Sequence, residues 1–233
     1  MNDSQIRAFT RSPGRRRFAH INIVWCLAYI ALTGLVFNVY LQTIGVYTFT
    51  IAGVMYLIKQ PRLTFDALFR GGVLWVYIAL CFLSVLWAQD SSWALRGSMQ
   101  VTLTVGVALA LARGLPAGSF MTASMAALLT ATMASILDPH MAYNAGQLGS
   151  IGIFGSKNQF GQAEGLLFMI CAWIAFDKDR SPRIRWLSLI GLLSAAYLMV
   201  VARSIDSSAV AVGAVGCGFV GLRLNMFQAL APC

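Results

Sequence analysis

Three basic residues stand in short polar segments between long apolar stretches. Arg96 follows the segment AQDSSW, Lys157 lies in GSKNQFG, and Arg203 lies in ARSIDSS. Arginine suits bidentate contacts with oxyanions, whereas lysine acts on phosphate as a point charge. Each cation is expected at the start of a helix, where unpaired N–H groups and the helix dipole favour anions. We therefore predict that the three cations bind a diphosphate or another multiply charged anion.

The segment around Lys157, residues 152–161, reads GIFGSKNQFG and is rich in glycine. Glycine lets the backbone approach a ligand closely. Asn158 can cap the following helix or donate its side-chain amide to an oxygen atom. We predict that Asn158 acts beside Lys157 in diphosphate binding.

Trp93 and Glu164 are candidate contacts for an acceptor or a sugar. Trp93 lies beside Arg96 on the expected outer surface, and Glu164 lies near the membrane edge, where an ionisable residue is a functional candidate. Simpler interpretations stay open for all of these residues. Trp93 is also typical of an interfacial aromatic belt, and an ion pair with Lys157 is the alternative role of Glu164. The alternative role of the three cations is to anchor their helices at the membrane interface or to pair with nearby acidic residues.

The composition indicates which kind of secondary structure positions these residues. The chain has 233 residues, of which 58% are hydrophobic and 11% charged, with a mean hydropathy of +0.72. Soluble domains carry about 25% charged residues, which excludes a soluble globular enzyme. A membrane span takes about 20 apolar residues. We therefore predict an all-α polytopic membrane protein with about eight transmembrane helices. The apolar runs cover 21–37, 39–58, 71–87, 97–112, 119–137, 162–176, 186–202 and 208–222.

The distribution of Lys and Arg predicts the orientation of these spans. With a cytoplasmic N-terminus, 14 of the 17 Lys and Arg residues fall on the inner side, and only Arg96, Lys157 and Arg203 fall outside. This asymmetry indicates that both ends are cytoplasmic. The prediction comprises a basic N-terminal segment (1–20), a transmembrane bundle (21–222) with an outer loop at 138–161, and a C-terminal tail (223–233). The net charge of +9 marks cytoplasmic loops, so no nucleic-acid partner is expected.

The five cysteines lie far apart and without CxxC spacing, so they predict neither a disulfide framework nor a zinc site. The expected outer face holds one histidine and scattered acids without ligand spacing. No metal and no cofactor is expected.

Three segments resemble the O-antigen ligase and exopolysaccharide polymerase superfamily. The pattern Gly-x-Phe-x-x-Lys-Asn-x-Phe-Gly matches residues 152–161 and is similar to the family signature, with the Lys-Asn form closer to polymerases than to lipid A core ligases. The stretch Ser-x-x-Trp-x-x-Asp at 84–90, followed by Arg96, and a Ser-x-x-Ser-Ala element within 202–212 agree with it. The resemblance covers about residues 75–215.

The resemblance implies a multi-pass protein of the bacterial inner membrane. Such a protein moves a glycan from a polyprenyl-diphosphate carrier to an acceptor sugar at the periplasmic face, with Arg96, Lys157, Asn158 and Arg203 on the diphosphate. Membrane lipids and other polysaccharide-assembly proteins are the further partners implied. Family members carry a large outer loop with a catalytic histidine after the region resembling 202–222, so this chain is expected to be inactive alone, and its catalytic residues are unassigned. The alternatives are a small permease or flippase subunit with an outer anion site, or a non-catalytic remnant.

Overall fold

Apolar helices joined by short turns form most of the chain. The computed structural model describes residues 23–61, 66, 71–144, 147–202 and 213. The predicted run at 208–222, apart from residue 213, and the predicted N-terminal segment and C-terminal tail lie outside these ranges. The elements are α1 (Ile23–Val36), α2 (Asn38–Leu41), α3 (Thr43–Lys59), α4 (Gly72–Leu83) with a 3-10 turn (Ser84–Leu86), α5 (Ser91–Gly114), α6 (Ala117–Leu137), β1 (Met141–Asn144), β2 (Gln147–Ser150), α7 (Lys157–Phe176) and α8 (Pro182–Ala202).

Four helices, α5 to α8, are long and apolar enough to cross a membrane. The helices α1, α3 and α4 are apolar but shorter. Large apolar side chains also cover the outside of the bundle, as at Val73 and Leu137, which suits a lipid environment. The prediction of a helical membrane protein is therefore confirmed in this coarser form. The described residues hold four helices of spanning length, fewer than the eight predicted.

Side-chain caps start two helices earlier than hydropathy alone predicts. Asp90 Oδ1 accepts hydrogen bonds from the backbone N–H groups of Ser92 (3.0 Å) and Trp93 (3.2 Å), so α5 starts at Ser91 rather than at 97. Ser156 Oγ accepts from Gln159 N at 3.2 Å, so α7 starts at Lys157 rather than at 162.

One prediction about a helix start is wrong for this reason, and one of the two roles open to Asn158 is excluded. Arg96 does not open its helix but is the sixth residue of α5, because Asp90 caps the helix upstream. Asn158 does not cap α7, because Ser156 does so, and Asn158 lies in the first helical turn.

Small residues let the helices approach one another closely. A Cβ added at Gly34 in α1 would lie 2.7 Å from the backbone nitrogen of Phe49 in α3, and one added at Gly191 in α8 would lie 2.8 Å from Cys171 Sγ in α7. Close contact through small residues is typical of packing between membrane helices. The principal helix pairs are α7 with α8, α1 with α3, and α1 with α6.

The expected outer loop at 138–161 contains structure that the sequence analysis did not predict. The strands β1 and β2 pair as an antiparallel hairpin, with Met141 opposite Ser150 and Asn144 opposite Gln147. The residues from Lys157 onward belong to α7, so the connecting segment ends at Ser156. The hairpin and this segment place the first turn of α7.

Candidate anion-binding end of the bundle

The candidate site lies at one end of the bundle, which we call the hairpin end. It consists of α2, the hairpin, the segment 151–156 and the first turn of α7. The backbone N–H of Phe154 donates to the carbonyl of Ile151 at 2.9 Å, and Ile151 N–H donates to the carbonyl of His140 at 2.9 Å. These bonds connect the base of the hairpin to the start of α7.

The segment 151–156 packs into the bundle. The N–H of Ile153 donates to Ser135 Oγ in α6 at 3.2 Å, and both atoms are buried. Gly152 has a φ of +51°, and a Cβ there would meet Ser135 Oγ. Glycine is therefore required at position 152 by both backbone conformation and space. Phe154 and Phe160 are buried with ring centroids 5.7 Å apart, and they attach the segment to α7.

Lys157 is the first residue of α7 and lies half-buried against the hairpin. Its Cδ is 3.7 Å from the position that a Cβ of Gly149 would take, and the carbonyl oxygen of Ala202, the last residue of α8, is 3.1 Å from that position. The lack of a side chain at Gly149 thus lets β2 lie between Lys157 and the end of α8. Arg203 follows Ala202 but lies outside the described residues.

The charge of Lys157 has no acidic partner among the described residues. The ion pair with Glu164 that stayed open at the sequence level is absent there, because Glu164 faces α6 instead. The exposed Asn158 follows Lys157, and N–H groups in the first turn of a helix have no helical acceptor. Within the described residues, the start of α7 therefore presents together an ammonium group without an acidic partner, an exposed amide and the N–H groups of the first helical turn.

Arg96 and Trp93 contact each other on α5. The Arg96 guanidinium carbon lies 5.6 Å from the centre of the Trp93 ring, and Trp93 is 68% exposed. Among the described residues Arg96 has no ion pair with Asp90. The hydroxyl of Ser92, at 2.7 Å, and the N–H of Trp93 hold the pKa of Asp90 below its ordinary value. Arg96 therefore lies against an exposed aromatic ring, where a ligand can reach its guanidinium group.

Arg96 and Lys157 lie on different helices that do not pack closely. Helix α5 packs on α3, α4 and α6, whereas α7 packs on α6 and α8. Asn38 of α2 lines a cavity together with Gln100 of α5, and Val39 Cγ1 lies 3.1 Å from the position that a Cβ of Gly155 would take. Helix α2 therefore contacts both neighbourhoods, and the described residues do not bring the two cations into one pocket.

Glu164 lies inside the bundle at 1% exposure. Thr132 Oγ1 in α6 donates to Glu164 Oε1 at 2.9 Å, while Oε2 has no hydrogen-bond partner in the described part of the chain. Its carboxylate is therefore held between α6 and α7.

Sequence analysis missed a polar cluster at the hairpin end. Tyr40 donates its hydroxyl to Asp138 Oδ2 at 2.8 Å, and His140 Nδ1 lies 3.5 Å from Asp138 Oδ1. Asp138 and His140 are close in sequence, which is a signal for a pair, but Tyr40 is 98 residues away from Asp138. The cluster connects α2 to the C-terminal end of α6. Within the described ranges, no group of three or more His, Cys, Asp or Glu residues could hold a metal ion.

Comparisons of the chain with family models, with curated proteins and with solved structures find no match. The three sequence motifs and the geometry around Lys157 are therefore the features that bear on function.

Proposed function

We propose that the chain is a multi-pass inner-membrane protein that binds a polyprenyl-diphosphate-linked glycan and takes part in transferring that glycan to an acceptor sugar at the periplasmic face. The observation that carries the proposal is the ammonium group of Lys157, which has no acidic partner among the described residues and lies at the start of α7 beside a buried glycine-rich segment and the hairpin. The motif resemblance around this residue supplies the substrate class.

The chemistry of the proposal is electrostatic. When a glycan leaves its carrier, negative charge develops on the departing diphosphate. Cations and N–H groups that are already held in position stabilise such charge without reorganising. Lys157 and Asn158 supply this stabilisation at the start of α7, and Arg203 follows the end of α8 in the chain. Arg96 adds a second cationic position, and the exposed Trp93 ring beside it offers a stacking surface for a sugar.

The proposed topology has eight spans with both ends in the cytoplasm. The helices α5 to α8 then alternate in direction, so that the hairpin end faces the periplasm. The charge asymmetry of the sequence supports this orientation, since Lys59, Arg113 and Lys178 stand at the opposite helix ends from Lys157.

One observation favours a second candidate, a permease or flippase subunit. Glu164 places a carboxyl group with an unpartnered oxygen inside the bundle, and ionisable residues within membrane helices often mark transport routes. Purified protein in sealed liposomes separates the two candidates. Movement of a labelled lipid diphosphate between leaflets, abolished by Glu164→Leu, would favour the permease.

The proposed function is tested by donor binding to the full chain in lipid nanodiscs. We expect Lys157→Ala to weaken binding of a polyprenyl diphosphate by about tenfold to hundredfold, because a charge-assisted contact contributes about 1.5 to 3 kcal/mol. Lys178→Ala is the matched control, since Lys178 is an exposed lysine just beyond the other end of α7. Equal effects of the two substitutions would contradict the proposal.

A further inference from the structure

Glu164 is the one glutamate of the sequence, and it lies inside the helical bundle with 1% of its surface exposed. It is the eighth residue of α7, so it stands about 10 Å from the start of that helix and about 18 Å from its end. A full charge buried in this way is costly unless an opposite charge or several hydrogen bonds stabilise it. The neighbours of Glu164 therefore decide which form of its carboxyl group the fold can hold.

The described neighbours give this carboxyl group one hydrogen bond. Thr132 Oγ1 in α6 donates to Glu164 Oε1 at 2.9 Å, and Oε2 has no partner in the described part of the chain. A bound calcium or magnesium ion takes about six or more oxygen ligands, which one hydroxyl and one carboxyl group do not supply. A proton needs only the free Oε2 atom.

The elements that mainly pack on α7 bring no positive charge to Glu164. Helix α6 and strand β2, as well as the segment 151–156, contain no ionisable side chain. The ionisable side chains of α8 are Arg183, Arg185 and Tyr197. The two arginines lie in the first turn of α8, at the end opposite the hairpin, and Tyr197 is exposed. On α7 itself, Glu164 has no ion pair with Lys157 among the described residues, and Cys171 is a buried thiol.

Polar groups lie between Glu164 and the hairpin end. Ser135 is one turn from Thr132 on α6, is buried, and accepts a hydrogen bond from the N–H of Ile153 at 3.2 Å. The ring of Phe160 packs in the same region, so this path has apolar as well as polar walls. Toward the opposite end, the buried cluster between α6, α7 and α8 includes Met125, Leu128, Leu167, Ile170 and Ile174. The path from the hairpin end is therefore the shorter and more polar one.

We propose that Glu164 is a reversible proton-binding site inside the bundle, which exchanges its proton with water at the hairpin end. One O–H bond forms at Oε2, the proton comes from that water, and the negative charge of the carboxylate is neutralised. Carboxyl groups within membrane helices serve as proton relays in pumps and transporters. The assignment is independent of the proposed function, because it depends on the contacts of Glu164 and not on what binds at Lys157.

The single glutamate allows a direct test by infrared spectroscopy on the full chain in lipid nanodiscs at neutral pH. Glutamate with a heavy isotope at its side-chain carboxyl carbon is incorporated during expression, and the label lowers the stretching frequency of whichever form Glu164 takes. We expect the label to shift the carbonyl band of a carboxylic acid, and heavy water to shift the same band. A label shift confined to the carboxylate bands would show an ionised Glu164 and overturn the inference.

Two matched variants test the assignment of this band. Glu164→Gln keeps the shape of the side chain and should remove the acid band. Asp177→Asn is the control, because Asp177 directly follows α7 and pairs with Arg180 at 3.0 Å, a contact that favours the charged form. This control should leave the acid band unchanged. An acid band that persists in Glu164→Gln, or disappears in Asp177→Asn, would place the proton on another group and overturn the inference.

The side from which the proton enters is tested by the rate of exchange into heavy water. Ser135→Ala and Ser124→Ala each remove one buried hydroxyl group from α6, on the hairpin side of Thr132 and on the opposite side respectively. We expect Ser135→Ala alone to slow the isotope shift of the acid band. Any other pattern of rates would overturn exchange through the hairpin end.

Discussion

Helices α5 and α7 begin in the same way but stand in different surroundings. Each start is capped by a polar side chain, Asp90 or Ser156, and each helix carries a cation within its first two turns. The apolar window of α7 is 56% buried, whereas that of α5 is only 22% buried. The same local signals therefore produce a packed helix in one region and a helix beside an open cavity in the other.

The two cations therefore stand in different surroundings. Lys157 lies in the first turn of a helix that packs on α6, α8 and the hairpin, so it is positioned for a fixed contact with a charged headgroup. Arg96 stands on a helix that leaves open space beside Gly97 and Gln100, so its guanidinium group lies on a more open surface. Changes near α7 should therefore affect stability and headgroup binding more than changes near α5.

The largest expected effect is that of Gly152→Val. Valine must take a positive φ that β-branched residues avoid, and its Cβ meets Ser135 Oγ, so we expect a loss of about 2 to 5 kcal/mol in the free energy of unfolding. Gly97→Val is the control in α5, where open space accepts the side chain. Thermal unfolding in detergent measures both. Similar changes in unfolding temperature for the two variants would contradict the contrast between α5 and the segment before α7.

The next effect concerns the buried bond between Thr132 and Glu164. Thr132→Val removes the one hydrogen bond that the described residues give the Glu164 carboxyl group, which should cost about 1 to 3 kcal/mol. Thr102→Val in α5 should cost less, because the Thr102 hydroxyl donates only to the Ser98 carbonyl of its own helix. Thr132→Ser should restore stability. A Thr102 variant as unstable as the Thr132 variant would contradict this account.

Hydropathy predicted where the apolar helices lie but not where they start. Caps decided the starts of α5 and α7, since Asp90 and Ser156 satisfy N–H groups that a hydropathy window does not count. A turn at Gln42, which has a φ of +45°, separates α2 from α3 within the single predicted run at 39–58. Local polar chemistry thus set boundaries that average hydrophobicity could not.

The candidate site was predictable only where its residues are neighbours in sequence. Lys157 and Asn158 share the first turn of α7, and Arg96 contacts Trp93 one helical turn away. The contacts of Glu164 with Thr132 and of Tyr40 with Asp138 join residues 32 and 98 positions apart. Such contacts depend on which helices pack together, and a hydrophobic period carries no information on helix order.

Removing the two caps should have smaller effects, which differ between α5 and α7. Ser156→Ala should cost about 1 kcal/mol, and Asp90→Ala should also lower stability. Each substitution should increase hydrogen exchange in the first turn of its own helix. Only Ser156→Ala should also weaken binding of isopentenyl diphosphate, because it loosens the turn that carries Lys157. A weaker headgroup affinity in Asp90→Ala alone would reverse the assignment of the two helices.

The smallest effect is a pH dependence confined to α5. Hydrogen bonds from Ser92 and Trp93 lower the pKa of Asp90. The ionised Asp90 therefore stabilises the folded state fully above the ordinary carboxyl pKa, and this contribution is lost as pH falls through the lowered pKa. Relative to the intrinsic exchange rate at each pH, protection of the first turn of α5 should therefore fall under acidic conditions, while protection of the Ser156-capped turn of α7 stays unchanged. Parallel changes in both turns would contradict the role of Asp90.

The central claim, that Lys157 binds a lipid diphosphate at the outer face, can be measured directly because the chain has only three lysines, Lys59, Lys157 and Lys178. A membrane-impermeant amine reagent is applied to right-side-out and to inverted vesicles, with peptide mapping of the modified lysines. We expect Lys157 to be modified only in right-side-out vesicles and to be protected by polyprenyl diphosphate, while Lys59 and Lys178 react only in inverted vesicles and are not protected. Modification of Lys157 from the inner side, or unchanged modification with the diphosphate bound, would contradict the account.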